Sequence, residues 1–345
     1  MIRAHSRQFE SRSMNIVSYA TTPVAGVPAI LARCIAAGTP HRARCVWARS
    51  TYGNGVVFTG DIEWSKSPAE AEEKLDEADV VIVHNGKVAS QHRRIIDSKP
   101  VITVAHDCRW NADRRYVNKG LPGAVVGRYQ ASLPEFQGWN LVPDPIPIWE
   151  PEYQPTEKPT KIAVAFTPSG KHERFPSTDP LYWYSKGYTT TMRLLDKLAQ
   201  SYGLQLEVIR SMQVSHAESL AMKRRAHIVI DECVTGSYHR DSLEGLAAGC
   251  VVVNGMHLRS GVIEIFRMCA EIGGADAPFV YADFGSLEGV LVSLIEKGSA
   301  VLSSMGRSNH EWMKSHWTFS KQWPRFWAPI IEAALDRSST VQNHK

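Results

Sequence analysis

The stretch His227–Val253, HIVIDECVTGSYHRDSLEGLAAGCVVV, decides how the chain reads. It opens on the β-branched run IVI and passes through a polar loop containing Gly236. It then enters the small-residue helical pattern SLEGLAAG and returns to a β-branched run at CVVV. Strand, helix and strand in so short a span form a βαβ unit, whose two strands are parallel. Both runs are continuously apolar, as strands covered on both faces are.

The alternation continues outward. Toward the amino terminus NIVSYA (15–20), ARCVWA (43–48), GVVFTG (55–60), ADVVIVHN (78–85), PVITVAHD (100–107), GAVVGRY (123–129) and NLVP (140–143) read as strands. Helical patterns PAILARCIAAG (28–38) and SPAEAEEKLDEA (67–78) lie between them, the first closed by Gly38. The stretch 142–161, VPDPIPIWEPEYQPTEKPTK, then holds six prolines and no periodicity, which marks an extended linker. Beyond it KIAVAFTPS (161–169), LQLEVI (204–209), AHIVID, CVVVNG and APFVYA (277–282) read as strands. TTTMRLLDKLAQSYG (189–203), HAESLAMKRR (216–225), GSLEGVLVSLIEKG (285–298) and FSKQWPRFWAPIIEAALDR (319–337) read as helices. The expected fold is α/β, with two Rossmann-like halves and a ligand site in the cleft at the strands' carboxyl ends.

Composition sets the outer limits. At roughly 150 residues per domain, 345 residues suggest two domains. Apolar residues at 43% and charged residues at 21% exclude a disordered or fibrous chain. The apolar runs fall far short of the roughly 20 residues of a membrane span. A net charge of +4, from 39 basic and 35 acidic residues, suits anionic ligands without demanding nucleic acid. The six cysteines show no C-x-x-C spacing and read as reduced thiols of a cytoplasmic protein, with no zinc. No G-x-G-x-x-G follows the first strand and no P-loop occurs, which disfavours dinucleotide and P-loop chemistry.

Four places could carry chemistry. Ser169-Gly170 follows a strand, and Lys186-Gly187 opens the next helix, so backbone amides and an ammonium group can face a diphosphate. The plain alternative is a solvated loop lysine. The loop before SLEGLAAG offers amides and a helix dipole to a phosphate, and Glu244 can accept from two vicinal hydroxyls. Alternatively, Asp241 and Glu244 form a near capping box that serves only their own helix. His106 ends the PVITVA strand on the cleft side, where it can donate to a hydroxyl or a developing charge, or is structural. Gly26, after the first strand, permits close backbone approach of a ligand, or is an ordinary turn glycine.

Together these residues resemble the GT-B glycosyltransferases, and among them the retaining group that uses nucleotide-sugar donors, glycosyltransferase family four. The stretch HIVIDECVTGSYHRDSLEGLAAGCVVV is similar to that family's Leu-Glu-Ala-Met-Ala-x-Gly-x-Pro-Val-Val. The resemblance covers roughly residues 14–335. It implies an acceptor domain at 14–145, a hinge at 146–160, a nucleotide-sugar domain at 161–317 and a helix at 318–336 packing back on the first domain. Residues 1–13 and 337–345 would be tails. It further implies that Glu244 holds the donor ribose, Lys186 neutralises the diphosphate, His106 lies near the transferred sugar, and Gly26 approaches the phosphates. Ser169, Gly170, Gly187, Tyr238, His239, Ser242 and Leu243 would complete the donor site. The partner is then a nucleoside-diphosphate sugar, with no cofactor and no metal. Gly236 stands where the family carries the first Glu of the motif whose second Glu is Glu244, Cys250-Val251 replaces a small residue and proline, and the arginine partner of Lys186 has no match beyond Lys171 and Arg174.

The acceptor is left open among a glycan, a lipid-linked molecule, a small molecule and modified DNA. Basic clusters at His92-Arg93-Arg94, Arg114-Arg115 and Lys223-Arg224-Arg225 bear on the DNA reading. The aromatic segment Trp317, Trp323, Phe326 and Trp327 either docks at the inner face of a membrane or packs inward. A non-catalytic clamp for nucleotide-sugars on the same scaffold is the alternative from another class, and a GT-B epimerase is a third.

Overall fold

Val80-Val81-Ile82-Val83 offers water no polar side chain, and it forms a fully buried central strand. A computed structural model describes residues 13–52, 56–107, 123–168, 175–176, 178–179 and 182–342. The first lobe runs β1 (Asn15–Ala20), α1 (Val27–Gly38), β2 (Arg42–Trp47), β3 (Ile62–Glu63), α2 (Pro68–Asp76), β4 (Val80–His84), α3 (Arg93–Asp97), β5 (Val101–Ala105), β6 (Gly123–Val126) and β7 (Asn140–Val142). Its strands are all parallel, in the order β3-β2-β1-β4-β5-β6-β7. The second lobe runs β8 (Ile162–Phe166), α4 (Tyr188–Tyr202), β9 (Leu206–Arg210), α5 (His216–Arg225), β10 (Ile228–Ile230), α6 (Arg240–Ala247), β11 (Val251–Asn254), α7 (Ser260–Ala270), β12 (Phe279–Tyr281) and α8 (Leu287–Glu296). The long α9 (Gly298–His316) follows, then α10 (Phe319–Gln322) and α11 (Ala328–Gln342). The second sheet is parallel too, in the order β12-β11-β10-β8-β9. The expected α/β architecture of two parallel sheets is present.

Period two sorts the first core. Ile16 joins the layer with Ile30, Trp47 and Ile82, while its neighbour Val17 joins the opposite layer with Leu75, Val81 and Ile96. The carboxyl-terminal segment returns to the first of these layers. Phe319, Phe326, Trp327, Ile330 and Ile331 are buried there, while Trp317 is buried in the second lobe and donates its indole N–H to Asp144 O at 2.9 Å. The rings proposed for a membrane face therefore point into protein. The turn at Trp323–Trp327 has π geometry because Pro324 brings no N–H to the helical ladder. The proline-rich stretch is packed as well: Ile146, Ile148 and Tyr153 are buried in the second core, and Arg33 on α1 holds Glu150 at 2.8 Å.

Two differences from the sequence reading have physical causes. GVVFTG is not a strand; Val57 makes one antiparallel bridge to Thr51, and Phe58 N–H bonds Ser50 O at 2.9 Å. The edge of β2 is taken instead by Ile62-Glu63, because Gly60 lies flat against the Trp47 indole and turns the chain there. Helices α7 and α9 carry no expectation from sequence. The buried stripe of α9 is Leu302, Gly306, His310 and Met313, so half of it is not apolar by type. Gly306 is needed there, since a Cβ would overlap the carbonyl of Gly249.

Gly306→Ala is therefore expected to destabilise by about 1–3 kcal/mol, although alanine favours helix. Gly289→Ala on α8, where nothing lies within 4 Å of the added Cβ, is expected to stabilise by about 0.5–1 kcal/mol. Urea midpoints of the two variants check the contrast.

Candidate functional site

A cavity of about 620 Å³ lies between the carboxyl ends of the two sheets. The first sheet contributes Thr22 after β1, Asn85 after β4, His106 after β5 and Arg128 after β6; the second contributes Thr167 after β8. Lys186, His239, Arg240 and Glu244 close the second lobe's side.

Asp231, directly after β10, organises that side. Its buried carboxylate accepts from Lys186 Nζ, from His239 N–H at 2.6 Å and from Ser242 Oγ at 2.7 Å, and His239 Nδ1 lies 3.1 Å away. Burial alone would raise this carboxyl, but His239 and Lys186 outweigh it and hold it well below the usual carboxylate range. Lys186 Nζ also lies 4.0 Å from Asp241.

Glu244 sits on α6 in a second cluster. It accepts from Lys223 Nζ at 2.6 Å, Arg240 at 2.9 Å and His216 Nε2 at 2.7 Å. Burial opposes its charge, yet Lys223, Arg240 and His216 hold it well below the usual range. Arg240 reaches across the cleft to the Ala25 carbonyl, and His216 N–H bonds Val57 O at 3.0 Å, so this cluster ties the lobes together. The near capping box is absent: His239 is the N-cap residue of α6, and Lys223 takes Asp241 at 2.6 Å.

The loop expected to cradle a phosphate is filled by its own chain. The Glu232 carboxylate accepts from Val234 N–H at 2.6 Å, Thr235 N–H at 2.7 Å and Ser237 N–H at 2.9 Å. Asp231 occupies the start of α6 in the same way. Amides of this kind are anion sites, and here two internal carboxylates satisfy them. Among the described residues, an anion at this loop therefore meets side-chain cations.

Among the sequence candidates, His106, Lys186, His239 and Glu244 are brought to the cavity wall. Five others stand off it. Tyr238 is buried against Phe266 and Phe279 and donates to the Gly127 carbonyl; its body is large and apolar, and the core takes it. Leu243 lies in the same core, and Ser242 serves Asp231. Gly187, at φ +61°, caps α4 and has the Phe284 ring against it. Gly26, at φ +79°, faces protein and not a ligand, since a Cβ would meet Phe58 at 2.7 Å and Arg240 at 3.3 Å. At Gly236, with φ +78°, a Cβ would lie 2.6 Å from the Arg259 side chain, so no acidic side chain fits there. Ser169, Gly170, Lys171, Arg174, Arg114, Arg115, Cys108 and residues 1–12 and 343–345 lie outside the described residues. Lys223 points inward to its carboxylates and exposed Arg225 pairs with Glu207 at 2.8 Å, so Lys223–Arg225 does not present three free cations.

Sequence reasoning missed His84, Arg128, Asp231 and His216. Three of them announce themselves by one signal: a polar residue at or just after the carboxyl end of an apolar strand run, as in VVIVH, GAVVGR and IVID. Arg128 is held by buried Asp144 at 2.6 Å. His84 Nδ1 lies 2.7 Å from His106 Nε2, and Ser18 Oγ lies 2.8 Å from His84 Nε2. Burial pushes His84 down to about 3, and burial with the His84 neighbour keeps His106 well below the usual imidazole range. Among the described residues no group of His, Cys, Asp and Glu is arranged to hold a metal ion, and no helix is long and apolar enough to cross a membrane. Cys34, Cys45, Cys233, Cys250 and Cys269 are free and buried.

No family model and no curated protein matches the sequence. Solved structures with a similar chain path include TarM (TM-score 0.48, 9% identity, covering 73% of this chain and 54% of that one). HepE of Anabaena in complex with UDP-glucose is similar at TM-score 0.47 and 11% identity over 96% of this chain and 100% of that one. WaaG, a glycosyltransferase involved in lipopolysaccharide biosynthesis, is similar at 0.47 and 11% over 91% and 99%. The chain spans about half the length of TarM. Likenesses this distant carry no argument about activity, which rests on the cavity itself.

Burial of the histidines sets the sign of the pH dependence. A histidine whose folded pKa is depressed gives stability that is complete above about pH 6.5 and lost as pH falls below it. Asp231 and Glu244, also depressed, lose theirs only below about pH 4. Between pH 7 and pH 5 the loss is thus a histidine effect, roughly 2 kcal/mol for His84. Urea melts at both pH values should show that His84→Gln flattens this dependence.

Proposed function

We propose that the chain is a GT-B glycosyltransferase that moves a sugar from a nucleoside-diphosphate sugar to an acceptor hydroxyl, with retention and without a metal. The observation that carries this reading is the placement of Lys186, Arg128 and Arg240 around one cavity at the carboxyl ends of two parallel sheets. Such a cavity suits a ligand with a compact anionic centre and polar ends. Because internal carboxylates fill the loop amides, the diphosphate is held by these three cations.

In this reading the donor lies against the second lobe and the acceptor against the first. Departure of the diphosphate concentrates negative charge where Lys186 stands, and a preorganised cation is worth most at that moment. Asp231 keeps the ammonium group in place before the ligand arrives. Glu244 spends acceptor capacity on three donors, two of them the cations Lys223 and Arg240, and has room for one more, for a ribose hydroxyl. The acceptor is a glycan, a lipid-linked molecule or a small molecule. Without the acidic residue at Gly236, the donor sugar is bound by other groups. That same position favours the second reading, a clamp that binds a nucleotide-sugar without turning it over.

A thermal-shift panel of nucleotide-sugars identifies the donor, since one that binds the native state raises the melting temperature. With that donor, Lys186→Ala is expected to lower kcat/KM by about 10²–10³-fold, the cost of one preorganised charge-stabilising group. Glu244→Ala should weaken donor binding. Turnover within a few-fold of wild type in both variants rejects the site; binding without product selects the clamp.

A further inference from the structure

We infer that His84 is a positioning residue that, set by Ser18, fixes His106 as a neutral hydrogen-bond donor through Nδ1, facing an oxygen atom of the ligand. The chain of contacts crosses three neighbouring strands. Ser18 stands in β1, His84 ends β4 and His106 follows β5, and these strands are adjacent in the order β1-β4-β5. The three side chains are linked at 2.8 Å and 2.7 Å, and the two imidazoles lie 4.9 Å apart, 24° from parallel.

The proton order follows from the buried hydroxyl. Ser18 is fully buried, and among the described residues its hydroxyl bonds only to His84 Nε2. A buried hydroxyl proton needs an acceptor, so Ser18 donates and His84 Nε2 accepts. His84 then carries its proton on Nδ1 and donates to His106 Nε2. His106 in turn carries its proton on Nδ1. The reverse order would leave the serine proton without an acceptor.

The His106 main chain is anchored on both sides: its backbone N–H donates to Asn85 Oδ1 at 2.8 Å, and its backbone carbonyl accepts from Gln130 Nε2 at 2.9 Å. Of its polar atoms, Nδ1 finds no partner among the described residues, although the residue lines the cavity. An unpaired buried donor is costly, and an oxygen of a bound ligand supplies the missing acceptor. His106 therefore polarises or orients a ligand oxygen. It is not a general base, because its free nitrogen carries the proton. Arg128, the charged group that bears on it from the end of β6, favours the same uncharged form.

The nature of the ligand oxygen rests on the proposed function; the tautomer does not, and it can be read in the ligand-free protein. Two-bond ¹H–¹⁵N correlation spectra of ¹⁵N-histidine-labelled protein are recorded at pH 6 and 7, with His84→Gln and His106→Gln used for assignment. Both rings are expected as neutral Nδ1–H tautomers at both pH values. Ser18→Ala, which changes little volume, is expected to admit the Nε2–H form of His84 and, through it, of His106. If His84→Gln does not fold, the Ser18→Ala change assigns the pair. Finding His106 as Nε2–H, or as imidazolium at pH 6, overturns the inference. Once a donor is known, His84→Gln, which can still donate to Nε2, should retain far more kcat than His84→Leu at similar KM. Equal loss in both variants also overturns it, whereas absence of any turnover in wild type rejects the proposed function and leaves the tautomer result standing.

Discussion

Buried negative charge at the mouth of the second sheet is the constraint on which the rest depends. Asp231 and Glu244 are taken out of water by the fold itself, one at the end of a strand and one on the helix that follows. An isolated buried carboxylate would be prohibitively costly, so each must collect cations and donors. Lys186, His239 and Ser242 converge on Asp231, while Lys223, Arg240 and His216 converge on Glu244. The positions of the cavity's cations are thus a consequence of charge balance within the protein. They are in place before a ligand arrives and need little reorganisation to meet one.

The same requirement explains which anion hosts are already taken. Loop amides and a helix start are the usual hosts of a phosphate, but Glu232 and Asp231 satisfy them here. The second lobe therefore meets an anion with the long side chains of Lys186 and Arg240, and the first lobe adds Arg128 beside uncharged groups. His84 is kept neutral by burial and His106 by burial together with His84, and Phe58, Tyr52 and Val56 add an apolar wall.

The two lobes are joined through the same groups. Arg240 bonds the Ala25 carbonyl across the cleft, and Trp317 bonds the Asp144 carbonyl beside the buried Arg128–Asp144 pair. Closure of the cleft and electrostatic order within it are therefore one property.

Much of this was legible in the chain. Continuous β-branched runs separated by helical patterns determine parallel sheets covered on both faces, because no other arrangement hides such strands. A polar residue ending such a run is placed at the cleft, as His106 is, and the loops and helix starts beyond the second lobe's strands bring Lys186, His239 and Glu244 there too. Local pattern does not say which way a buried polar group points. Tyr238, Ser242 and Leu243 belong to the same motif as Glu244, yet the helix's three-dimensional packing sends them to the core or to Asp231. Gly26 and Gly187 supply positive φ, but protein rings fill the space beside them. The sequence by itself determined the layers and the edge on which the cavity opens, since hydrophobic periodicity is a local property. The tertiary structure alone decided which carboxylate holds which cation and how Ser18, His84 and His106 order their protons, because most of those interactions join residues more than twenty positions apart and all depend on distances of a few ångströms.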